Sequence, residues 1–519
     1  MPAPDTVRRP EAAPAPDTVS RSGVDATRWP DVARLPAVSP IRTAVARLLL
    51  ERALRALPLR VRLGDAATAT GGGLGGPTGP LLDVHDPDAF FRRIGDSGLI
   101  GFGESYMAGE WDSDDLVGAL TVLAVHVDEL VPGPLRRLRR VWARRRPDTQ
   151  RNTPDGAREN IHHHYDLSND LFATFLDPTM SYSSAVFERL PADADAGADA
   201  DEDAFAASFA APFAGTFAAA QHRKIDRLLD LARVGSGTRL LEIGTGWGEL
   251  ALRAAARGAR VVTVTLSDEQ RKLAERRVAE AGLAHRVSVR LCDYRQVEGR
   301  YDAVVSVEMI EAVGAEYWPV YFAALNRLCA PGGRVALQAI TMPHDRMLHT
   351  RRTHTWISKY VFPGGLIPSR EAIGGTAAGA GLRVVSDTGY GDHYAETLRL
   401  WRERFLARAD RVAALGFDPV FRRMWELYLA YSEAGFRARY LDVRQLLLTA
   451  HAPHGPDSPD SPDSPDNSDG PHGPHVPHGP DGSHAPEGGP HGPDGPHAAE
   501  GGPHRPRAPR TSHAPEELR

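Results

Sequence analysis

The chain has 519 residues, room for about two to four domains, of which 42% are apolar, 25% charged and 7% aromatic. Fifty glycines and 42 prolines exceed ordinary usage, so part of the chain is not expected to fold. Two cysteines, Cys292 and Cys329, exclude a disulfide scaffold and a cysteine-built zinc site; no apolar run is long enough for a membrane span, and the first residues lack the apolar core of a secretory signal, so a cytoplasmic setting is expected.

The net charge of −6 is unevenly spread. Residues 451–519 carry eleven acids and four arginines, and residues 191–215 carry six acids and no base. The remainder is basic, which favours anionic partners such as phospholipid headgroups, nucleic acid or acidic metabolites.

In chain order, residues 1–38 are rich in Pro, Ala, Asp and Arg without apolar periodicity and read as disordered. A small mixed α/β domain is expected over 39–150. It opens with a helix at 41–57, passes a glycine-rich loop at 71–79, and ends in a basic linker. In that linker Arg136, Arg137, Arg139, Arg140, Arg144, Arg145 and Arg146 interleave with Leu138, Val141 and Trp142.

The main domain is expected over 151–450, interrupted by a solvated acidic loop at 191–215. Strands are predicted at 239–243, 260–266, 286–291, 301–307 and 334–340. Helices are predicted at 247–257, 268–281 and 317–328. This alternation predicts an α/β, Rossmann-like, doubly wound and mostly parallel sheet, whose ligands sit beyond the carboxyl ends of the strands. Residues 451–519 form an irregular Pro-His-Gly-Asp tail with too few apolar residues to offset ordering entropy. Ten of the 21 histidines lie there.

Chemistry concentrates at the predicted strand ends. The run EIGTGWG at 242–248 places Gly244, Gly246 and Gly248 after the first strand and Glu242 just before them. Glycines there let the backbone turn tightly and approach a ligand. The spacing is not the G-x-G-x-x-G of dinucleotide folds, and it favours S-adenosylmethionine (SAM) over NAD. Thr265, Leu266 and Gln270 follow the second strand, where a cofactor ribose is faced. Asp293 and Tyr294 follow the third, where Asp293 can accept from an adenine amino group. The adjacent His162, His163 and His164 point about 100° apart on a helix and do not converge on one metal ion; no metal is expected.

The segments HHYDLSNDLFATFLDPTMSYSSAVF, LEIGTGWGELALRAA, TVTLSDEQRKLA, DYRQVEGRYDAVVSVEMIEAVG, WISKYVFPGGLIPS, HYAETLRLWRERF and EAGFRARYLDVRQ occur in this order between residues 160 and 448. Together they resemble the cyclopropane-fatty-acyl-phospholipid synthase family, which includes mycolic-acid cyclopropane synthases and fatty-acid methyltransferases. The resemblance implies transfer of the SAM methyl to the cis double bond of an acyl chain on a membrane phospholipid. It also implies a carbocation, then proton loss to a bound bicarbonate ion. An aromatic, water-excluding pocket suits such chemistry.

Residue by residue, the resemblance assigns Tyr182 and Ser183 to SAM contact. Glu242, Gly244, Gly246 and Gly248 form its glycine loop, and Thr265, Leu266 and Gln270 its second cofactor segment. Glu311 and Tyr394 are assigned to the bicarbonate site, and Ile340 lends a backbone contact. Three positions depart from the pattern: Ser184 replaces a usual Cys, Ala312 a usual His, and Gln338 an anion-contacting His. Ser and Gln still donate hydrogen bonds.

Two products stay open: a cyclopropane chain, or a methylene or methyl branch completed by a partner reductase. A small-metabolite methyltransferase and a non-catalytic SAM-fold lipid binder are the other readings. Unsaturated phospholipids at an anionic membrane surface are the expected partners, with peripheral attachment to the inner face of the cell membrane. A homodimer is compatible with the resemblance. Nucleic acid is not expected, because no base-binding platform of aromatic and basic residues is found.

Overall fold

The computed structural model describes residues 23–64, 74–75, 78–127, 147–153, 156–157, 159–160, 168–190 and 213–450. The arginine cluster at 136–146, His162 to His164, most of the acidic loop and the tail from 451 lie outside the described residues.

The N-terminal module carries helix α1 (Pro40–Arg55), strands β1 (Arg60–Leu63), β2 (Leu74–Gly75) and β3 (Leu81–Val84), helices α2 (Pro87–Ser97) and α3 (Leu99–Met107), strand β4 (Trp111–Ser113) and helix α4 (Leu116–Val125). Its sheet has the order β2-β1-β3-β4, with only the β1–β3 pair parallel. Local chemistry sets these bounds. Asp86 caps α2 by accepting from Ala89 N, Pro87 fits the first turn, and Gly98 at φ 60 ends it.

The catalytic module contains helices α5 (Asn169–Phe175) and α6 (Phe213–Leu231), strand β5 (Arg239–Ile243), helix α7 (Glu249–Ala256), strand β6 (Arg260–Thr265), helix α8 (Asp268–Glu280), and strands β7 (Val287–Leu291) and β8 (Tyr301–Val307). Helix α9 (Trp318–Leu328), strand β9 (Cys329–Thr341), strand β10 (Leu382–Gly389), helices α10 (Gly391–Ala407) and α11 (Pro419–Arg437) and strand β11 (Asp442–Ala450) follow, with shorter helices between them. The seven-stranded sheet has the order β10-β11-β9-β8-β5-β6-β7. Strands β9, β8, β5, β6 and β7 run parallel, and β11 enters antiparallel between β10 and β9.

The expected doubly wound sheet is therefore present, as is the mixed α/β N-terminal unit. Strand β9 starts at Cys329, five residues before the predicted strand, and the Pro-Gly-Gly run is absorbed into it with a register shift against β8. Chain order reverses between β5 and β8, so the crevice of the fold opens at their carboxyl ends.

One expectation is corrected. Residues 23–38 are ordered, although 1–38 read as disordered. Val32 is fully buried, and Trp29 Nε1 donates to Asp418 at 2.8 Å. The cause is Arg93, also fully buried, whose guanidinium donates to the carbonyls of Asp31 and Val32 at 2.6 Å and to Glu110 at 3.0 Å. A buried guanidinium must find acceptors, and this segment supplies them from its backbone, which leaves no pattern in the side chains.

The N-terminal module does not have a core of its own. Phe90, Tyr106 and Trp111 belong to one continuous cluster with Trp401, Phe421 and Trp425. Arg423 on α11, 2% exposed, donates to the carbonyls of Tyr106 and Trp111 and to the Asp112 carboxylate.

Replacing Arg93 by Met leaves Glu110 buried without its cation and frees two carbonyls. The expected loss is about 3–5 kcal/mol of unfolding free energy, read from denaturant titration; a loss below about 1 kcal/mol contradicts this account of the ordered segment.

Candidate active site

The crevice between β5 and β8 holds a cleft lined by most of the predicted cofactor residues: Tyr182, Ser183, Glu242, Gly244, Gly246, Thr265, Leu266, Gln270, Asp293 and Tyr294. It also takes in Lys224, Trp247, Arg295 and Glu308. Each is placed by local structure. Gly244 and Gly246 turn the chain at φ 98 and 52, and a Cβ at Gly246 would meet nothing within 4 Å, so the backbone there is bare toward the cleft. Gly248 caps α7 at φ 92 and is not among the cleft-lining residues; a Cβ there would lie 3.1 Å from Ala274 Cβ, so its role is close packing of α7 on α8.

Ser267 caps α8 by accepting from Gln270 N, which fixes Gln270 in the first turn, where its Oε1 accepts from Thr265 Oγ1 at 2.9 Å. Asp293 is held by Arg295 at 2.6 Å and accepts from Arg295 N, so its carboxylate already has partners. Trp247 Nε1 donates to Asn169 at 2.7 Å.

Two buried charges flank the glycine turn. Glu242, 3% exposed, has one carboxyl oxygen with no protein partner, and burial pushes its pKa up to about 8. Lys224 on α6, 2% exposed, donates to Ser183 Oγ at 2.6 Å; burial pulls its pKa down to about 8 against the pull of Glu308 and nearby acids.

The remaining assigned residues meet at the end of β8, around a residue that sequence reasoning passed over. Glu308 Oε1 accepts from Ser184 N at 2.9 Å and from Gln338 Nε2 at 2.7 Å, and its Oε2 accepts from Tyr394 Oη at 2.6 Å. Burial raises its pKa, while the bonds from Tyr394, Gln338 and Ser184 oppose the rise. Ser184 thus acts through its backbone, and its hydroxyl donates to Ala185 O. Gln338 is fixed in turn by Gln445 Nε2, which donates to its Oε1 at 3.0 Å.

Glu311, one helical turn on, does not line the cleft. It accepts from Ile340 N through Oε1, and its Oε2 is buried with no protein partner. Burial, and then the charge of Glu308, push its pKa up to about 8. The signal for Glu308 in the sequence is its position, directly after the last residue of a predicted strand.

Behind the cleft an aromatic group is packed in edge-to-face and tilted pairs. Phe172 contacts Trp247 and Tyr182 with ring centroids 5.0 and 5.1 Å apart, Tyr182 contacts Trp401 at 5.2 Å, and Tyr394 contacts Trp401 at 6.1 Å. Tyr182 and Tyr428 share a 2.7 Å hydroxyl bond. Tyr182, which lines the cleft, thus connects it to a buried aromatic group that reaches Tyr394.

The cleft fits SAM. A bare glycine turn, the buried carboxyl oxygen of Glu242 that has no partner among the described residues, and Gln270 in the cleft wall are groups that a sulfonium amino acid with a ribose can engage. The end of β8 does not fit a bicarbonate ion. Its donors are already taken by the two oxygens of Glu308, and a further anion would stand beside one carboxylate and near a second.

A folded-state pKa raised above the ordinary value means the native state holds a proton the unfolded chain has released. For Glu311 that stability is present below about pH 4.5 and is lost as pH rises toward 8. Glu311→Gln keeps the acceptor for Ile340 N and removes the titration. Its melting temperature is expected to exceed wild type by a few degrees at pH 8 and to match it near pH 5; equal curves across that range would refute the assignment. Gly246→Ala is expected to weaken SAM binding at least about tenfold, a loss of about 1.4 kcal/mol, by calorimetry. Gly248→Ala is expected to lower stability more than Gly246→Ala, by about 1–2 kcal/mol.

Residues 152–446 match the family model described as mycolic acid cyclopropane synthetase. Tuberculostearic acid methyltransferase of Mycobacterium tuberculosis is 57% identical over 435 residues, covering 83% of this chain and 97% of its own length. Cyclopropane-fatty-acyl-phospholipid synthase of Escherichia coli is 33% identical over 371 residues, covering 71% of this chain and 87% of its own. Among solved structures, a cyclopropane synthase from Mycobacterium tuberculosis is 30% identical with a TM-score of 0.48, covering 56% of this chain and 97% of its own. With the cofactor cleft at the switch point of its sheet and matches of this extent, the chain belongs to the mycolic acid cyclopropane synthetase family and is a SAM-dependent methyltransferase.

Proposed function

We propose that the protein methylates the cis double bond of unsaturated acyl chains carried by membrane phospholipids, and that its product is a methylene or methyl-branched chain. The observation that carries this reading is the junction of the cofactor cleft with the aromatic group and the carboxylates at the end of β8. The branched product is favoured by the 57% identity, over nearly the full length of the relative, to a tuberculostearic acid methyltransferase. The cyclopropane product is the second reading, supported by the 33% identity to a cyclopropane-fatty-acyl-phospholipid synthase.

Bound SAM supplies an electrophilic methyl group. Glu242, Gln270 and the backbone at Gly244 and Gly246 would hold and orient it, and Ser183, fixed by Lys224, lines the same cleft. Attack by an alkene leaves positive charge on carbon. The rings of Tyr182, Tyr394 and Trp401 present polarizable faces to such a charge, and their packing keeps out water that would quench it. Ile340 N and Glu311 brace the strand on which Gln338 stands.

The acyl double bond lies within a hydrocarbon layer about 30 Å thick, and no helix among the described residues is long and apolar enough to cross a membrane. The arginines of 136–146 would draw the protein to an anionic surface, each contributing about 1 kcal/mol before screening. A homodimer and a reductase that saturates a methylene product are compatible with this reading.

The test is incubation with labelled SAM and vesicles of unsaturated phosphatidylglycerol or phosphatidylcholine, followed by mass spectrometry of the released fatty acids. A methylene chain one CH2 heavier is expected, becoming saturated only when a partner reductase and its reductant are added, with faster turnover on the anionic vesicles. A cyclopropane under both conditions selects the second reading. Label transfer only to soluble small molecules overturns both.

A further inference from the structure

The acyl-methylation reading requires a group that removes a proton from the methylated, cationic chain. Three observations converge on Glu308. Its two carboxyl oxygens occupy the focus of the donors Ser184 N, Gln338 Nε2 and Tyr394 Oη. These lie on three different elements, so the focus is a site and not a local turn. Glu308 also lines the SAM cleft, whereas Glu311, Gln338 and Tyr394 do not. Finally, its backbone is left-handed at φ 49, in a conformation that a residue with a long side chain adopts at a cost. Its N–H donates to Gln338 O at 2.7 Å, which holds it in that conformation.

We infer that Glu308 is the catalytic base, a carboxylate built into the chain at the place where a free carbonate-type anion would otherwise be recruited. The inference rests on the acyl-methylation reading. After a hydride shift places the positive charge on the methyl-bearing carbon, a C–H bond of the new methyl breaks, its electron pair becomes the second bond of the methylene C=C, and the proton passes to a Glu308 oxygen. In the cyclopropane reading, without that shift, the same electron pair closes the ring. The chain becomes neutral and Glu308 becomes a carboxylic acid, which returns its proton to solvent when product leaves. Tyr394, Gln338 and Ser184 N act as positioning groups that fix the carboxylate against the cleft.

The left-handed backbone makes the test clean. Glu308→Gly relieves the conformational cost, so the variant is expected to fold with an undiminished melting temperature, and it opens a carboxylate-sized space bounded by the same donors. Glu308→Gln fills the space with a group that cannot take a proton. Acyl methylation is measured with SAM and unsaturated phospholipid vesicles, in buffer stripped of carbon dioxide and again with excess bicarbonate.

Wild type is expected to be indifferent to bicarbonate. Both variants are expected to lose about 100-fold or more in rate, with SAM binding retained. Bicarbonate is expected to restore Glu308→Gly and not Glu308→Gln. Wild type that works only with bicarbonate, or Glu308→Gln that keeps its rate, overturns the inference and leaves the acyl reading standing. Wild type that methylates no acyl chain in either buffer overturns the reading and the inference with it.

Discussion

A carboxylate taken out of water at the end of β8 must be met by donors, and much of the catalytic module is arranged around that requirement. Ser184 arrives from the segment after α5, Gln338 from the neighbouring strand β9, and Tyr394 from α10. Lys224 on α6 adds a charge interaction with Glu308. Gln338 is pinned in turn by Gln445 on β11 and Lys224 by Ser183, and next to Ser184 the Ala185 N–H donates to the Thr397 hydroxyl on α10. The antiparallel entry of β11 therefore has a function beyond closing the sheet, because it carries the residue that orients Gln338.

The same constraint ties cofactor and substrate sides together. Glu242 and Glu308 stand at the ends of strands that are direct neighbours, with Ile243 paired to Ser306. Where chain order reverses, the two loops splay apart and leave a crevice, so a ligand on the glycine turn and a group on Glu308 necessarily face one another. Burial raises the pKa of both acids. The result is a water-poor pocket in which negative charge is held by fixed donors and aromatic faces supply the rest of the wall.

The sheet was legible in the sequence because its strands are short apolar runs separated by helices of a different period, as at RLLEI and RVVTVT. Cofactor positions followed from the rule that ligands lie at strand ends, and all of them but Gly248 line one cleft. Glu308 was not legible in the same way. Two acids three residues apart look alike on paper, and which one turns into the crevice is decided by a left-handed backbone and by donors 30 or more residues away on other elements. The N-terminal segment was hidden for a related reason. Its anchoring comes from several main-chain carbonyls, the ion pairs of Arg28 and Asp31, one tryptophan and one valine, and no periodicity records such contacts.

That anchoring bears on where the molecule can be divided. The family match begins at residue 152, yet α11 presents Phe421, Trp425 and the cation of Arg423 to α3, α4 and β4. Severing the polypeptide near 150 would strip a greasy helix and strand a guanidinium beside it. The smallest autonomous piece thus begins near residue 23, and the stretch ahead of the methyltransferase is best regarded as one of its walls, not as an appendage.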